Sequence, residues 1–305
     1  ANRTNVNLTF DSSGSAPLSM RYTDVGQLAL HASMALPEQA PDPAITLTGS
    51  SNAFVVRPHT LAVVQALRQN GSANPATQTG GNGFVAAGEP FNVVIEARNA
   101  DGQATPNFGK ELNRQRVEAV FNQLVYPPSG NNGTLNGGAV DTATAALNGR
   151  QTVTGVSWNE AGSITLRAKM LNDTYLGIAD ISVKPVSETV GRFYPDNFAL
   201  ASSEVSNSCT NFSYMSQPAL TVNYQLEAKG RGGNTLQNYH SAHYPAGAAT
   251  MLTVAQDNST RLAAERLAVQ AAQWQHGVYR VQQNNASFNR VAAPDGPYTN
   301  MQLGL

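Results

Sequence analysis

The stretch Val190-Gly191-Arg192-Phe193-Tyr194-Pro195-Asp196-Asn197-Phe198-Ala199-Leu200 decides how this chain is read. An earlier echo, Val55-Val56-Arg57-Pro58-His59-Thr60-Leu61-Ala62, precedes it by about 137 residues. In both copies a β-rich block ends, a proline interrupts the chain, and an apolar run begins the next block. Proline has a fixed φ and no N–H to give to a ladder, so it separates strands rather than continuing them. Pro58 and Pro195 are therefore read as domain joints, and Tyr194 and Phe198 as half-buried aromatics of the second joint.

The echo extends outward from the joints. Tyr22-Thr23-Asp24-Val25-Gly26 and Trp158-Asn159-Glu160-Ala161-Gly162 share the pattern aromatic-x-acid-x-Gly. Gly88-Glu89-Pro90-Phe91 matches Ser216-Gln217-Pro218-Ala219, and Glu96-Ala97 matches Glu227-Ala228. Pro106-Asn107-Phe108 then matches Gln237-Asn238-Tyr239. Arg150–Trp158 matches Arg266–Trp274, so the latter is expected to be a strand despite its helix-forming residues. Trp274-Gln275-His276-Gly277 would then hold a third hairpin turn.

Period-two alternation marks the strands. Leu18–Tyr22 and Leu28–Leu30 predict a first hairpin, Gln151–Trp158 and Ser163–Met170 a second around Asn159–Gly162. Ile45–Leu47, Phe54–Val56, Leu61–Leu67, Phe91–Arg98 and Ala219–Ala228 read as further strands, and Tyr298–Leu303 as the start of one. Val117–Val125 fits strand or helix. Asn70–Gly83 reads as a linker or long loop and Asn131–Gly138 as a flexible loop. Short strands between polar turns imply an all-β chain of tandem immunoglobulin-like antiparallel β-sandwiches joined by short proline-containing connectors. The expected units are 1–53, the C-terminal part of a β-domain; 54–190, a sandwich; and 191–305, a second sandwich cut short at its C-terminus. Tyr22, Trp158 and Trp274 are the expected core anchors.

Composition narrows function by exclusion. Net charge is −1 and charged residues are 13%, against about 25% in ordinary soluble domains. No basic excess suggests a nucleic-acid surface. No apolar run is long enough to span a bilayer. Asn, Gln, Ser, Thr, Gly and Ala fill the polar surface, as in secreted bacterial surface proteins. The chain opens at Ala1 with no signal pattern and reads as a mature chain or, from its abrupt ends, as a piece of a longer one.

Reactive constellations are sparse. His240 and His243 lie three apart beside Tyr239 and Tyr244, with no nearby Cys or acid, and read as exposed loop histidines. Asp24, Asp101, Glu160 and Asp295 sit in turns beside glycine and are expected to accept local backbone amides. Calcium at a joint would involve Asp196 and Glu188, yet no Asp-x-Asp-x-Asp-Gly loop occurs. Neither a Gly-x-Ser-x-Gly elbow nor His-Glu-x-x-His is present, and Gly80-Gly81-Asn82-Gly83 lacks the Lys-Ser/Thr of a phosphate loop. Cys209, the sole cysteine, reads as a small buried residue, a half-cystine whose partner lies elsewhere, or a thiol nucleophile. No catalytic, cofactor or metal residue is assigned.

Four segments resemble the MshQ family of the MSHA (mannose-sensitive haemagglutinin) type IV pilus system. Val190–Phe198 is similar to its VGRFYPDHF-type segment, and Cys209-Thr210-Asn211-Phe212-Ser213-Tyr214-Met215-Ser216-Gln217-Pro218 to its Cys-x-x-Phe-x-Tyr-Met-x-Gln-Pro. Asn234–Tyr239 is similar to its Asn-x-x-x-Asn-Tyr, and Pro294–Tyr298 to its Pro-Asp-Gly-Pro-Tyr. The resemblance implies a non-enzymatic structural or adhesive protein at the surface of a Gram-negative bacterium, supporting pilus assembly or the pilus tip. It implies minor pilins or other pilus subunits as partners, with a glycan or host surface protein as a further ligand, and no cofactor. The alternative is a carbohydrate-binding module of a secreted protein, which requires Tyr175, Tyr239, Tyr244 and Tyr298 to lie exposed on one face. A hydrolase would require acids converging in a cleft.

Overall fold

Alternating apolar and polar residues build strands in three consecutive blocks. The computed structural model describes residues 4–140, 147–179, 186–244, 248–293 and 295–305. The first block holds β1 (Gly26–Leu28), β2 (His31–Leu36), β3 (Ile45–Ser50) and β4 (Phe54–Val56). β1 pairs with β4 and β2 with β3, both antiparallel. The expected hairpin over 18–30 does not form. Residues 18–22 are not a strand, and Gly26–Leu28 pairs instead with Phe54–Val56, because the corner before it turns Val25 into the core of the next block. Tyr22 is 45% exposed and is not a core anchor. The β2–β3 ribbon carries Met34, Leu36, Ile45 and Leu47 exposed.

The second block is a two-sheet sandwich. Its strands are β5 (Thr60–Leu67), β6 (Phe91–Arg98), β7 (Val117–Tyr126), β8 (Leu135–Asn136), β9 (Ala139–Val140), β10 (Arg150–Trp158), β11 (Gly162–Met170), β12 (Thr174–Tyr175), β13 (Ile178–Ala179) and β14 (Val190–Phe193). One sheet runs β5-β6-β10-β8, with β9 on β10; the other runs β14-β11-β7. β10 and β11 do not pair with each other, so Asn159–Ala161 is a corner between sheets rather than the expected hairpin turn. Leu61, Phe91, Val93, Ile95, Val153, Val156, Ile164, Leu166 and Phe193 fill the core between the sheets. Trp158 is completely buried there and its indole N–H donates to Asn132 O at 2.7 Å. The loop before β8 thus supplies the carbonyl that makes a buried indole tolerable. β14 continues this sandwich to Phe193, three residues beyond the expected seam at 190.

The third block repeats the first sheet. Its strands are β15 (Asn197–Ser206), β16 (Leu220–Lys229), β17 (Val254–Asp257), β18 (Thr260–Arg261), β19 (Leu267–Ala268), β20 (Trp274–Gln275), β21 (Val278–Phe288) and β22 (Met301–Gly304). The sheets run β15-β16-β21-β19, with β20 on β21, and β18-β17-β22. Ala62 pairs with Glu96 as Ala199 pairs with Glu227, and the ladder slips after Val63 as it does after Leu200. β15 is the counterpart of β5, but Phe198 and Leu200 are exposed where Leu61 and Val63 are buried.

Two tight turns fix the true counterpart of β10. Asn148-Gly149 leads into β10 and His276-Gly277 into β21, each with both residues at positive φ. The Gly149 carbonyl accepts from Ala97 N–H at 2.9 Å, and the Gly277 carbonyl from Ala228 N–H at 2.8 Å. A Cβ on Gly149 would meet Thr105 O at 2.5 Å, and one on Gly277 would meet Leu236 O at 2.5 Å. β10 therefore corresponds to β21, not to Arg266–Trp274. That segment is a short 3-10 turn at Ala264–Arg266, then β19 and β20 separated by irregular chain. Trp274 is still completely buried, its N–H donating to Ala249 O at 2.8 Å.

Removing either buried indole leaves a cavity and an unpaired carbonyl. Trp158→Ala and Trp274→Ala are each expected to lower stability by about 3–5 kcal/mol in urea melts, whereas Tyr22→Ala stays within about 0.5 kcal/mol of the parent.

Candidate functional site at the joints

The feature with the densest polar organisation is the seam between the second and third sandwiches. Glu160, in the corner between β10 and β11, is 3% exposed. Its Oε1 accepts the amides of Ala161 at 2.8 Å and Asn238 at 3.1 Å, and its Oε2 accepts that of Gln237 at 3.0 Å. Two of the three donors belong to the next sandwich, so this acid bonds across the joint and not only locally, as its turn position predicts. Burial holds its carboxyl above the ordinary glutamate range, and the three amides offset only part of that rise.

Asn238 is 2% exposed and completes the lock. Its side-chain amide donates to Asn131 O at 2.8 Å and Ala161 O at 3.1 Å, while its Oδ1 accepts Asn131 N–H at 2.7 Å. Asn234 donates to Asn159 O at 2.8 Å, and the Tyr126 hydroxyl donates to His243 O at 2.8 Å. Ala87 and Ala161 of the second sandwich lie in the core of the third, with Tyr126 packed against it.

The first joint uses the same parts. Asp24 Oδ1 accepts Val25 N–H at 2.9 Å and Asn107 N–H at 3.1 Å, as Glu160 accepts Ala161 and Asn238. Asn99 donates to Thr23 O at 3.0 Å. His59 N–H donates to Arg98 O and Asp196 N–H to Lys229 O, both at 2.8 Å. Asp101 pairs with Arg21, reaching the preceding block in the same way. Asp295 pairs instead within the third block, with Arg266 and with the Tyr298 hydroxyl, each at 2.5 Å.

The connector residues divide between the sandwiches. Pro58 is buried and Pro195 half-buried. Phe193 belongs to the second core, with ring centroids 5.1 Å from Trp158 and 5.6 Å from Phe91. Phe198 leans on Trp274 at 4.9 Å and Tyr239 at 5.9 Å while 38% exposed. Tyr194 is also 38% exposed. The stretch expected to be a linker, 70–83, is stitched to this connector. Asn74 bonds Thr189 O and Gly191 N–H, and Thr77 N–H donates to Gly191 O.

Other expected sites resolve differently. His240 and His243 are half-buried rather than exposed, and His276 joins them, with ring centroids 5.0 and 5.9 Å from His240. Burial, and then the two neighbouring imidazoles, push the His240 pKa down. Among the described residues no group of three His, Cys, Asp or Glu is placed to hold a metal. Tyr175, Tyr239 and Tyr244 are buried and Tyr298 is half-buried, so these tyrosines form no exposed binding face. Cys209 is half-buried, with Gln217 Nε2 at 3.6 Å from its sulfur.

Three consecutive domains of one family match the chain: DUF6701, first Ig-like domain, over residues 1–50; its second domain over 57–162; and its third over 160–305. The chain belongs to the DUF6701 family. The boundary between its second and third domains falls in the Glu160 corner. No curated protein matches the chain. Among solved structures it is similar to FdeC, an Escherichia coli adhesin, at 12% identity and a TM-score of 0.35, over 92% of this chain and 86% of that one. It is also similar to the Yersinia pseudotuberculosis adhesin InvE at 13% identity and a TM-score of 0.29, over 75% and 51%. Likenesses this distant say nothing about function.

Glu160→Ala leaves the buried amides of Ala161 and Asn238 unpaired and is expected to cost about 2–4 kcal/mol. A carboxyl whose pKa is raised on folding holds its proton more tightly in the folded chain, so its contribution falls as pH rises past the ordinary glutamate value. The penalty of Glu160→Ala, read from urea melts, is therefore expected to be larger at pH 4.5 than at pH 8.

Proposed function

We propose that this chain is a non-enzymatic structural and adhesive rod at the bacterial surface, serving an MSHA-like type IV pilus. The observation that carries the reading is the lock at Glu160. Three amide bonds to one buried carboxylate, together with the reciprocal Asn131–Asn238 bonds, fix one sandwich against the next. A flexible string of independent domains would have no use for such a seam. A stiff spacer that presents a surface away from the cell does. The repetition of the lock, at Asp24 and again at Glu160, supports an array built by copying one joint.

The pilus setting rests on the resemblance of Val190–Phe198, Cys209–Pro218, Asn234–Tyr239 and Pro294–Tyr298 to the MshQ family. In that setting the partners are minor pilins or other pilus subunits, and the location is extracellular, on a Gram-negative cell.

Small-angle scattering of the purified chain is expected to give one extended particle for the parent and a broader, more compact distribution for Glu160→Ala. Identical profiles would remove the rod reading. Co-purification with minor pilins, and loss of piliation or of attachment on deletion, is the expected cellular result; a deletion strain with normal pili and normal attachment would exclude the pilus role.

A further inference from the structure

The joint also encloses an open groove of about 570 Å³, lined by Arg68, Ala73, Pro75, Asn82, Gly83, Arg192 and Tyr194. Two of these carry positive charge and none is an acid. Both guanidiniums are held in place by one loop. Arg68 Nε donates to Phe84 O and its Nη2 to Gly83 O, each at 2.7 Å; Arg192 Nη2 donates to Gly81 O at 2.9 Å. The loop is itself fixed, since Thr77 Oγ1 donates to Asn82 O at 2.7 Å and Phe84 N–H to Arg192 O at 2.7 Å. Glycine is needed at 83 because a Cβ there would collide with the ring of Tyr194. The tyrosine ring thus lies directly on the loop that positions the arginines.

We infer that this groove binds the carboxylate-bearing sugar of an acidic glycan. The half-buried Arg68 guanidinium, held before the ligand arrives, loses little rotamer freedom on binding a carboxylate, and the buried Arg192 adds positive charge to the groove wall without being asked to bond the ligand. The Asn82 side-chain amide offers a donor and an acceptor for hydroxyls. Pro75 and the 38% exposed ring of Tyr194 offer apolar faces to the C–H side of a pyranose. The volume falls within the range of small-ligand sites, about 300–1,000 Å³. A bare phosphate would use the positive charge and leave the ring and proline unused. The inference rests on the adhesive half of the proposed function and names its ligand class.

The test uses the purified chain and oligosaccharides ending in glucuronic or sialic acid, each beside its neutral, carboxyl-reduced counterpart. Saturable binding to the acidic forms, weakening as salt is raised from about 50 to about 500 mM, is the expected result. Tyr194→Ala and Asn82→Ala are each expected to weaken binding by about tenfold with unchanged melting curves, and Arg68→Gln to abolish it. Arg68 also holds the loop, so if the Arg68→Gln chain folds poorly, the Tyr194→Ala and Asn82→Ala variants decide the matter. Equal binding of the neutral sugars, binding unaffected by Tyr194→Ala and Asn82→Ala, or preference for polyglutamate over every acidic sugar would overturn the inference. Minor-pilin co-purification run on the same variants separates the two readings: pilin capture retained without glycan binding removes this inference alone.

Discussion

The chain's architecture turns on one electrostatic constraint: a carboxylate removed from water must be surrounded by donors. Glu160 meets that requirement with backbone amides drawn from both sides of a joint. A carboxylate accepts and never donates while ionised, so its bonds to Gln237 and Asn238 fix where the turn before Tyr239 can sit. Once that turn is placed, Asn238 reaches Asn131, Tyr239 reaches the Trp274 ring, and the third core assembles around them. Asp24 does the same with fewer bonds and greater exposure, which matches the looser organisation of the first block.

Burial follows the same logic. The second sandwich is closed because β11 lies over β5, and Val190 and Phe193 of β14 join Leu61 and Val63 in one core. Among the described residues no strand lies over β15 in that way, and Leu200 and Val205 remain exposed. Sheets with the same pairing and the same ladder slip therefore differ in burial for a reason external to their own sequence. The aromatic residues divide accordingly: Phe193, Trp158, Phe84 and Phe91 form a closed edge-on cluster, whereas Phe198 has Trp274 on one side and solvent on the other.

Much of this is written in local pattern. Phe91–Arg98, an apolar run rich in β-branched residues after a proline, is β6 residue for residue. The echoes at Asp24 and Glu160, and at Asn107 and Asn238, are visible as sequence because the lock requires particular residue types at fixed spacing. What it joins is not visible: Asn159–Gly162 has the composition of a hairpin turn, and only the pairing of β10 and β11 with different partners reveals a corner between sheets. The match of Arg150–Trp158 to Arg266–Trp274 misleads because similar residue types sit in different surroundings: Val153 and Val156 are buried in a continuous strand, whereas Gln270, Ala271 and Gln273 are exposed in irregular chain. Asn148-Gly149, a strong signal for a tight turn, locates the start of β10 and with His276-Gly277 yields the correct correspondence to β21. The groove beside Tyr194 could not be read from spacing at all, since Arg68 and Arg192 are brought together by a loop whose carbonyls leave no trace in side-chain chemistry.

The corner carboxylates also give the array a direction. Asp24 is presented by the first block and Glu160 by the second, each is received by a turn of the unit that follows, and Ala87 and Ala161 enter the third core while Val25 enters the second. A chain made from its N-terminus therefore exposes every docking corner before synthesising the turn that needs it. Folding can proceed as a relay, each completed unit serving as the template surface for its successor.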